Sequence, residues 1–264
     1  MGAKNWEHLV LSAGSHEPGP KMCLLEAIAW QVGEPWSDKP ACVSPTLAAF
    51  GRSWNDAMRS DQEREQLKQY IPLLINTSDP TLEEARGYMA IDWLCRVHTV
   101  AWLRLAKLDA EAQALVDHAP VVNRQTLASL MPLLNVAGAA ARAAVGDAAR
   151  DAAFDAARVA AWDTAGATAW DAAFDDAWDV AWDAAGAAAW GAARAAAGGA
   201  ARAAAGDAAG GAARAAAGGA ARAAAGAALE PTVKELQDSA HQLFKAMISL
   251  KGQPAGPVGP GHLF

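Results

Sequence analysis

Trp170-Asp171-Ala172-Ala173-Phe174-Asp175-Asp176-Ala177-Trp178-Asp179-Val180-Ala181-Trp182-Asp183 sets the reading of the whole chain, because a large ring recurs at every fourth position in a background of alanine and aspartate. The same phase runs from Gly138 and Arg142 through Phe154, Arg158 and Trp162, and on to Trp190, Arg194, Arg202, Arg214, Arg222 and Gly226. Between 137 and 228 there is no Leu, Ile, Met, Lys, Glu, His, Ser or Cys. Alanine is the best helix former, so the tract reads as helix even though each glycine costs up to about 1 kcal/mol relative to alanine. Four residues turn an ideal helix by roughly 400°, so the stripe of rings drifts about 40° per repeat and circles the rod in about nine repeats. One flat partner face cannot bury such a spiral.

Two arrangements bury it. Either the tract breaks at glycines into helices packed as a hairpin or bundle, or it stays long and wraps right-handedly with copies of itself. Charge favours folding back: residues 147 to 183 hold nine aspartates against Arg150 and Arg158, whereas 184 to 228 hold Arg194, Arg202, Arg214 and Arg222 against Asp207. Gly186 to Gly199 is then the turn region.

Outward from the tract, Val233, Leu236, Leu243, Phe244 and Met247 form an amphipathic face in a helix beginning at Pro231, and a Pro/Gly-rich tail follows Gly252. Toward the N-terminus, residues 1 to 21 read as an irregular lead-in. Leu24, Leu25, Ile28 and Val32 make one helical face stopped by Gly33 and Pro35, and Ser44-Pro45 caps a helix carrying Leu47, Phe50, Trp54 and Met58. Ser60 with Glu63 suggests a capping box, and Pro72 interrupts the next apolar face. Asp79-Pro80 starts the longest conventional helix, to about residue 107, and shorter helices at 110–118 and 124–131 are bounded by Pro120 and Pro132. Nothing alternates with period two, so no sheet is expected. The expected class is all-α: a helical domain over 1–132, the repeat array over 133–229, an amphipathic helix over 230–251 and a disordered tail over 252–264.

The 264 residues carry a net charge of -7, which argues against general nucleic-acid binding. Three cysteines, an odd number with no signal peptide ahead of them, point to a reducing, cytoplasmic setting, and no stretch is apolar enough to span a membrane.

Gly14-Ser15-His16, Met22-Cys23-Leu24 with Glu26, Gly33-Glu34-Pro35, Ser37-Asp38, Pro40, Cys42, Ser44-Pro45 and Arg52-Ser53-Trp54-Asn55-Asp56 form a specific pattern. It resembles a group of proteins of high-GC bacteria and their phages, a group that also carries Asp-Ala-Ala-Trp and Asp-Ala-Ala-Arg arrays and a closing segment similar to Pro231 to Ile248. The resemblance covers most of the chain and brings no activity with it.

Chemistry has few places to sit. Cys23 stands at a helix start, where the macrodipole lowers a thiol pKa, and His16, His98 or Asp38 could serve it as base or orienting acid. The plainer reading is a small buried apolar residue. His16, Cys23, Glu26, Asp38 and Cys42 are zinc-ligand types, but they lack the usual pairing of ligands about two to four residues apart, so neither metal nor cofactor is expected. Asp92 and Arg96 are an ordinary helical ion pair. Trp162, Trp170, Trp178, Trp182 and Trp190, with Arg194, Arg202, Arg214 and Arg222, are the candidate contact residues, as core or as an interface. The leading expectation is a non-enzymatic helical protein that binds a protein partner or itself. A thiol-dependent enzyme using Cys23 is the alternative, and nucleic-acid binding through the arginine stripe is weaker still.

Overall fold

The computed structural model describes residues 6–145, 192 and 211–251. These residues are mostly helical, as expected, with a single two-stranded ladder among them. In order, the helices are α1 (Leu24–Val32), α2 (Pro45–Ala57), α3 (Asp61–Arg64), a 3₁₀ stretch (Glu65–Tyr70), α4 (Ile71–Leu74), α5 (Glu83–Trp93), a π turn (Leu94–His98), α6 (Thr99–Leu105), α7 (Asp109–Asp117), α8 (Arg124–Val145) and α9 (Gly211–Ser249). Trp162, Trp170, Trp178, Trp182, Trp190, Arg194 and Arg202 lie outside the described residues, as do the expected turn at Gly186 to Gly199 and the tail. Arg214 and Arg222 fall within α9.

Local signals explain several boundaries. Gly33 ends α1 with φ 79°, a left-handed conformation that glycine adopts without strain. The Ser44 hydroxyl accepts from the Leu47 amide at 3.2 Å, and Ser60 does the same for Glu63 at 3.1 Å. Pro72 has no amide hydrogen to continue the pattern, so the chain before it tightens into 3₁₀ and α4 starts afresh. Lys107 closes α6 at φ 65°, where a non-glycine residue costs about 1–2 kcal/mol.

Other expectations are corrected. α8 runs through Pro132 and α9 begins at Gly211 and runs through Pro231. Each proline removes one backbone bond, but apolar residues on both sides of it share a buried face: Leu127, Leu130, Leu134, Ala137 and Ala141 in α8, and Ala225, Leu229, Val233, Leu236, Ala240, Phe244 and Met247 in α9. The helix expected from Pro80 to 107 begins at Glu83 and contains a π turn, the Thr99 amide reaching back to the Leu94 carbonyl. A parallel ladder pairs Val10 with Lys21 and Leu11 with Met22, too short for any alternation to register.

The lead-in is held, not loose. Asn55, fully buried on α2, donates to the Ser12 carbonyl at 2.8 Å and accepts from the Leu24 amide at 3.2 Å, while Asp56 accepts from the Gly14 amide at 2.7 Å. α9 closes the body from the far end of the chain. Phe244 stacks on Phe50 at 5.3 Å between centroids and meets Tyr70 edge-on at 4.8 Å. Trp93 donates to the Ser239 hydroxyl at 2.9 Å, and Tyr70 and Gln66 bracket the two ring nitrogens of His241 at 2.6 and 2.7 Å. Gly51 permits this closeness, since a Cβ there would stand 3.2 Å from Leu24 and 3.3 Å from Phe244. One core cluster contains residues of the ladder, α1, α2, the 3₁₀ stretch, α4 to α9 and the π turn.

Arg86, 2 % exposed, donates to Glu83 at 2.7 Å, to the Thr77 carbonyl at 2.9 Å and to the Met247 carbonyl at 3.2 Å, so it ties α5 to the end of α9. Arg86→Ala leaves Glu83 buried without its cation and is expected to cost about 3–5 kcal/mol in urea unfolding. Arg59→Ala, which breaks the exposed pair with Glu230, is expected to cost only about 0.2–1 kcal/mol.

Candidate functional site

Cys23 is the N-cap of α1. Its Sγ accepts from the Glu26 amide at 3.5 Å, and the Glu26 carboxylate returns to the Cys23 amide at 2.7 Å, a reciprocal capping box with sulfur in the place usually taken by a hydroxyl. The same carboxylate accepts from the His16 amide at 2.7 Å and lies 2.9 Å from His16 Nδ1. Trp36 donates its indole hydrogen to the His16 carbonyl at 2.6 Å. Cys23 and His16 therefore meet on one buried acid, Glu26, while His98 and Asp38 do not join them.

The electrostatics run against a reactive thiol. Burial pushes the Cys23 thiol up to about 12; the Glu26 amide opposes this, but the neighbouring carboxylate adds to it. The expected lowering by the helix start is outweighed, because Cys23 is 1 % exposed and the nearest charge is negative. For Glu26, burial works to raise the pKa, and the amides of Cys23 and His16 and the imidazole overcome it, holding the carboxyl below its ordinary value. This is a carboxylate kept ionised to tie the lead-in onto α1.

Asp38, Cys42 and His98 stand apart from it. Asp38 pairs with Arg52 at 3.6 Å, and the Cys42 amide donates to Glu34 at 3.0 Å. His98 ends the π turn, fully buried, with Trp102 donating to its Nε2 at 3.2 Å and the Trp93 ring 5.4 Å away. Among the described residues no group of three or more His, Cys, Asp or Glu side chains is placed to hold a metal ion.

What sequence reasoning missed is a cleft of about 500 Å³ between α6 with its π turn and α9. Val100, Leu236 and Val116 give it an apolar floor, and Val97 lies 40 % exposed at its edge. Arg96, Arg104 and Lys107 line it from one side, Thr232, Glu235 and Ser239 from the other. Arg96 is held by Asp92 at 3.2 Å and by the Val116 carbonyl at 3.2 Å, which confirms the expected helical pair. The spacing of Val97, Val100, Arg104 and Lys107 along one helical edge was the available signal, but the opposite wall lies some 130 residues on.

Two measurements check these assignments. Cys23 in the native chain at neutral pH is expected to react with iodoacetamide about a hundred-fold or more slowly than in urea; comparable rates would restore a nucleophile. Because the folded Glu26 carboxyl titrates below its unfolded value, its contribution to stability is complete above the unfolded pKa and is lost as the pH falls through the folded one. Glu26→Gln should therefore flatten the acid limb of stability against pH, measured by urea midpoints. No family model matches the chain, and neither a curated protein nor a solved structure matches it.

Proposed function

We propose that the chain is a helical interaction protein whose folded body holds a repeat tract by both ends, the tract making contacts with a protein partner or another copy. One observation carries this reading: the helices on either side of the tract are rooted in the same core, α8 through Leu134, Ala137 and Ala141 and α9 through Ala225, Leu229 and Val233. Ala192, within the tract, also packs against that core. The body thus acts as a clamp, and the side chains it would present are Trp162, Trp170, Trp178, Trp182 and Trp190 with Arg194, Arg202, Arg214 and Arg222. Tryptophan and arginine are the residue types that carry most energy at protein interfaces. The buried polar groups at Cys23, Glu26, Glu83 and Arg86 are occupied in holding the body together, which leaves contact, and not thiol chemistry, as the supported activity.

Sedimentation of the full chain against a variant with residues 146–210 replaced by a short Gly/Ser linker tests it. The full chain is expected to associate with rising concentration, and the variant to stay folded by circular dichroism but monomeric. A single monomeric species in both, with no protein captured by the tract, would remove the proposal.

A further inference from the structure

We infer that His241 on α9 is a proton-sensitive latch: the groups around its ring accept the neutral imidazole and not the imidazolium, so mild acid weakens the grip of α9 on the rest of the body. His241 Nδ1 lies 2.6 Å from the Tyr70 hydroxyl, and Nε2 lies 2.7 Å from Gln66 Oε1. The Gln66 amide is oriented by its own nitrogen, which reaches Met58 Sδ at 3.7 Å, so its oxygen faces the ring. A neutral imidazole with its hydrogen on Nε2 satisfies both neighbours, donating to Gln66 and accepting from Tyr70. An imidazolium donates from both nitrogens, and Tyr70 would have to turn its hydrogen elsewhere. The other acceptor within reach of that hydroxyl is the His241 carbonyl at 3.4 Å, beyond the roughly 2.5–3.0 Å of a sound O–H···O bond. Nor can the phenol give up its proton, because burial pushes its pKa up.

No ion pair compensates a charged ring among the described residues. The elements packed against it are α2 and the 3₁₀ stretch, which present Trp54 with its ring centre at 4.6 Å, Tyr70 stacked at 5.7 Å, and Gln66. The charges that act on it stand on α9 itself. Burial first, and then Lys245, hold the imidazole below the ordinary histidine value, with Asp238 opposing them. This contribution to stability is therefore complete above the unfolded pKa, about 6.5, and is lost as the pH falls from there to the folded value. Glu26 and Glu83, held below the ordinary carboxylate value, are still ionised where that loss begins, so α9 loosens while both carboxylates keep their partners. The ring also sits at the centre of the α9 contact: Ala240 and Phe244 beside it are fully buried, and Phe244 packs on Phe50, Trp54 and Tyr70.

The test compares the full chain with His241→Asn, which does not titrate in this range, by urea unfolding at about pH 8 and about pH 5.5. On acidification the wild-type unfolding constant is expected to rise by about three-fold or more relative to that of the variant. Gln66→Glu, which sets a carboxylate against Nε2, is expected to reverse the sign and gain stability relative to wild type at the lower pH. The His241 ring resonances of the full chain, followed by NMR, should titrate below the ordinary histidine value, a readout that serves even if His241→Asn does not fold. A ring titrating at or above that value, or the same acid sensitivity in wild type and either variant, overturns the latch.

Discussion

The body depends on burying one stripe of α9. Ala225, Leu229, Val233, Leu236, Ala240, Phe244 and Met247 recur at intervals of three and four, and all are buried against helices made from the first part of the chain. Without α9, Phe50, Trp54 and Tyr70 would lose the Phe244 ring they pack on, and Trp93 the Ser239 hydroxyl. The core is therefore not complete until the distant end of the polypeptide arrives, and the entropy of closing that long loop is offset by the apolar surface α9 removes from water. Gly51 sets how near α9 can come.

Two buried carboxylates serve the same end. Glu26 gathers the backbone amides of His16 and Cys23, and Glu83 gathers the Ser44 and Thr46 hydroxyls, the Thr46 amide and Arg86. In both, burial alone would favour the neutral acid, and the ring of donors keeps the anion. A His, a Cys and a Glu drawn together suggest catalysis to a reader of sequence. In this molecule the trio is a clasp: the acid faces a thiol it helps keep protonated.

Much of the fold was legible where the cause is local. Gly33, Ser44-Pro45, Ser60 and Pro72 each act within a turn of where they stand, and the structure keeps all four boundaries, although the Glu63 carboxylate accepts from the Arg59 amide instead of closing a capping box on Ser60. The misreadings came where a distant partner decides. Proline costs a helix interior about 3 kcal/mol, which local reasoning takes as a stop. Leu130 and Leu134 around Pro132, and Leu229 and Val233 around Pro231, each contribute about 1.5–3 kcal/mol by burial, enough to carry the helix through. The cleft was invisible for the same reason, since its two walls are brought together only by tertiary packing. Cys23 was located correctly at a helix start, but its burial, which decides its chemistry, is not a property of its neighbours in sequence.

Because the tract leaves and re-enters one core, it is an insertion whose ends have fixed addresses. Lengthening a closed segment costs entropy only as the logarithm of its length, about 0.6 kcal/mol for a full doubling. A change in the number of tetrads between Val145 and Gly211 leaves the buried stripes of α8 and α9 themselves unaltered. A copying error in a repetitive gene can thus change the number of aromatic tetrads without touching the residues that hold α8 and α9 in place.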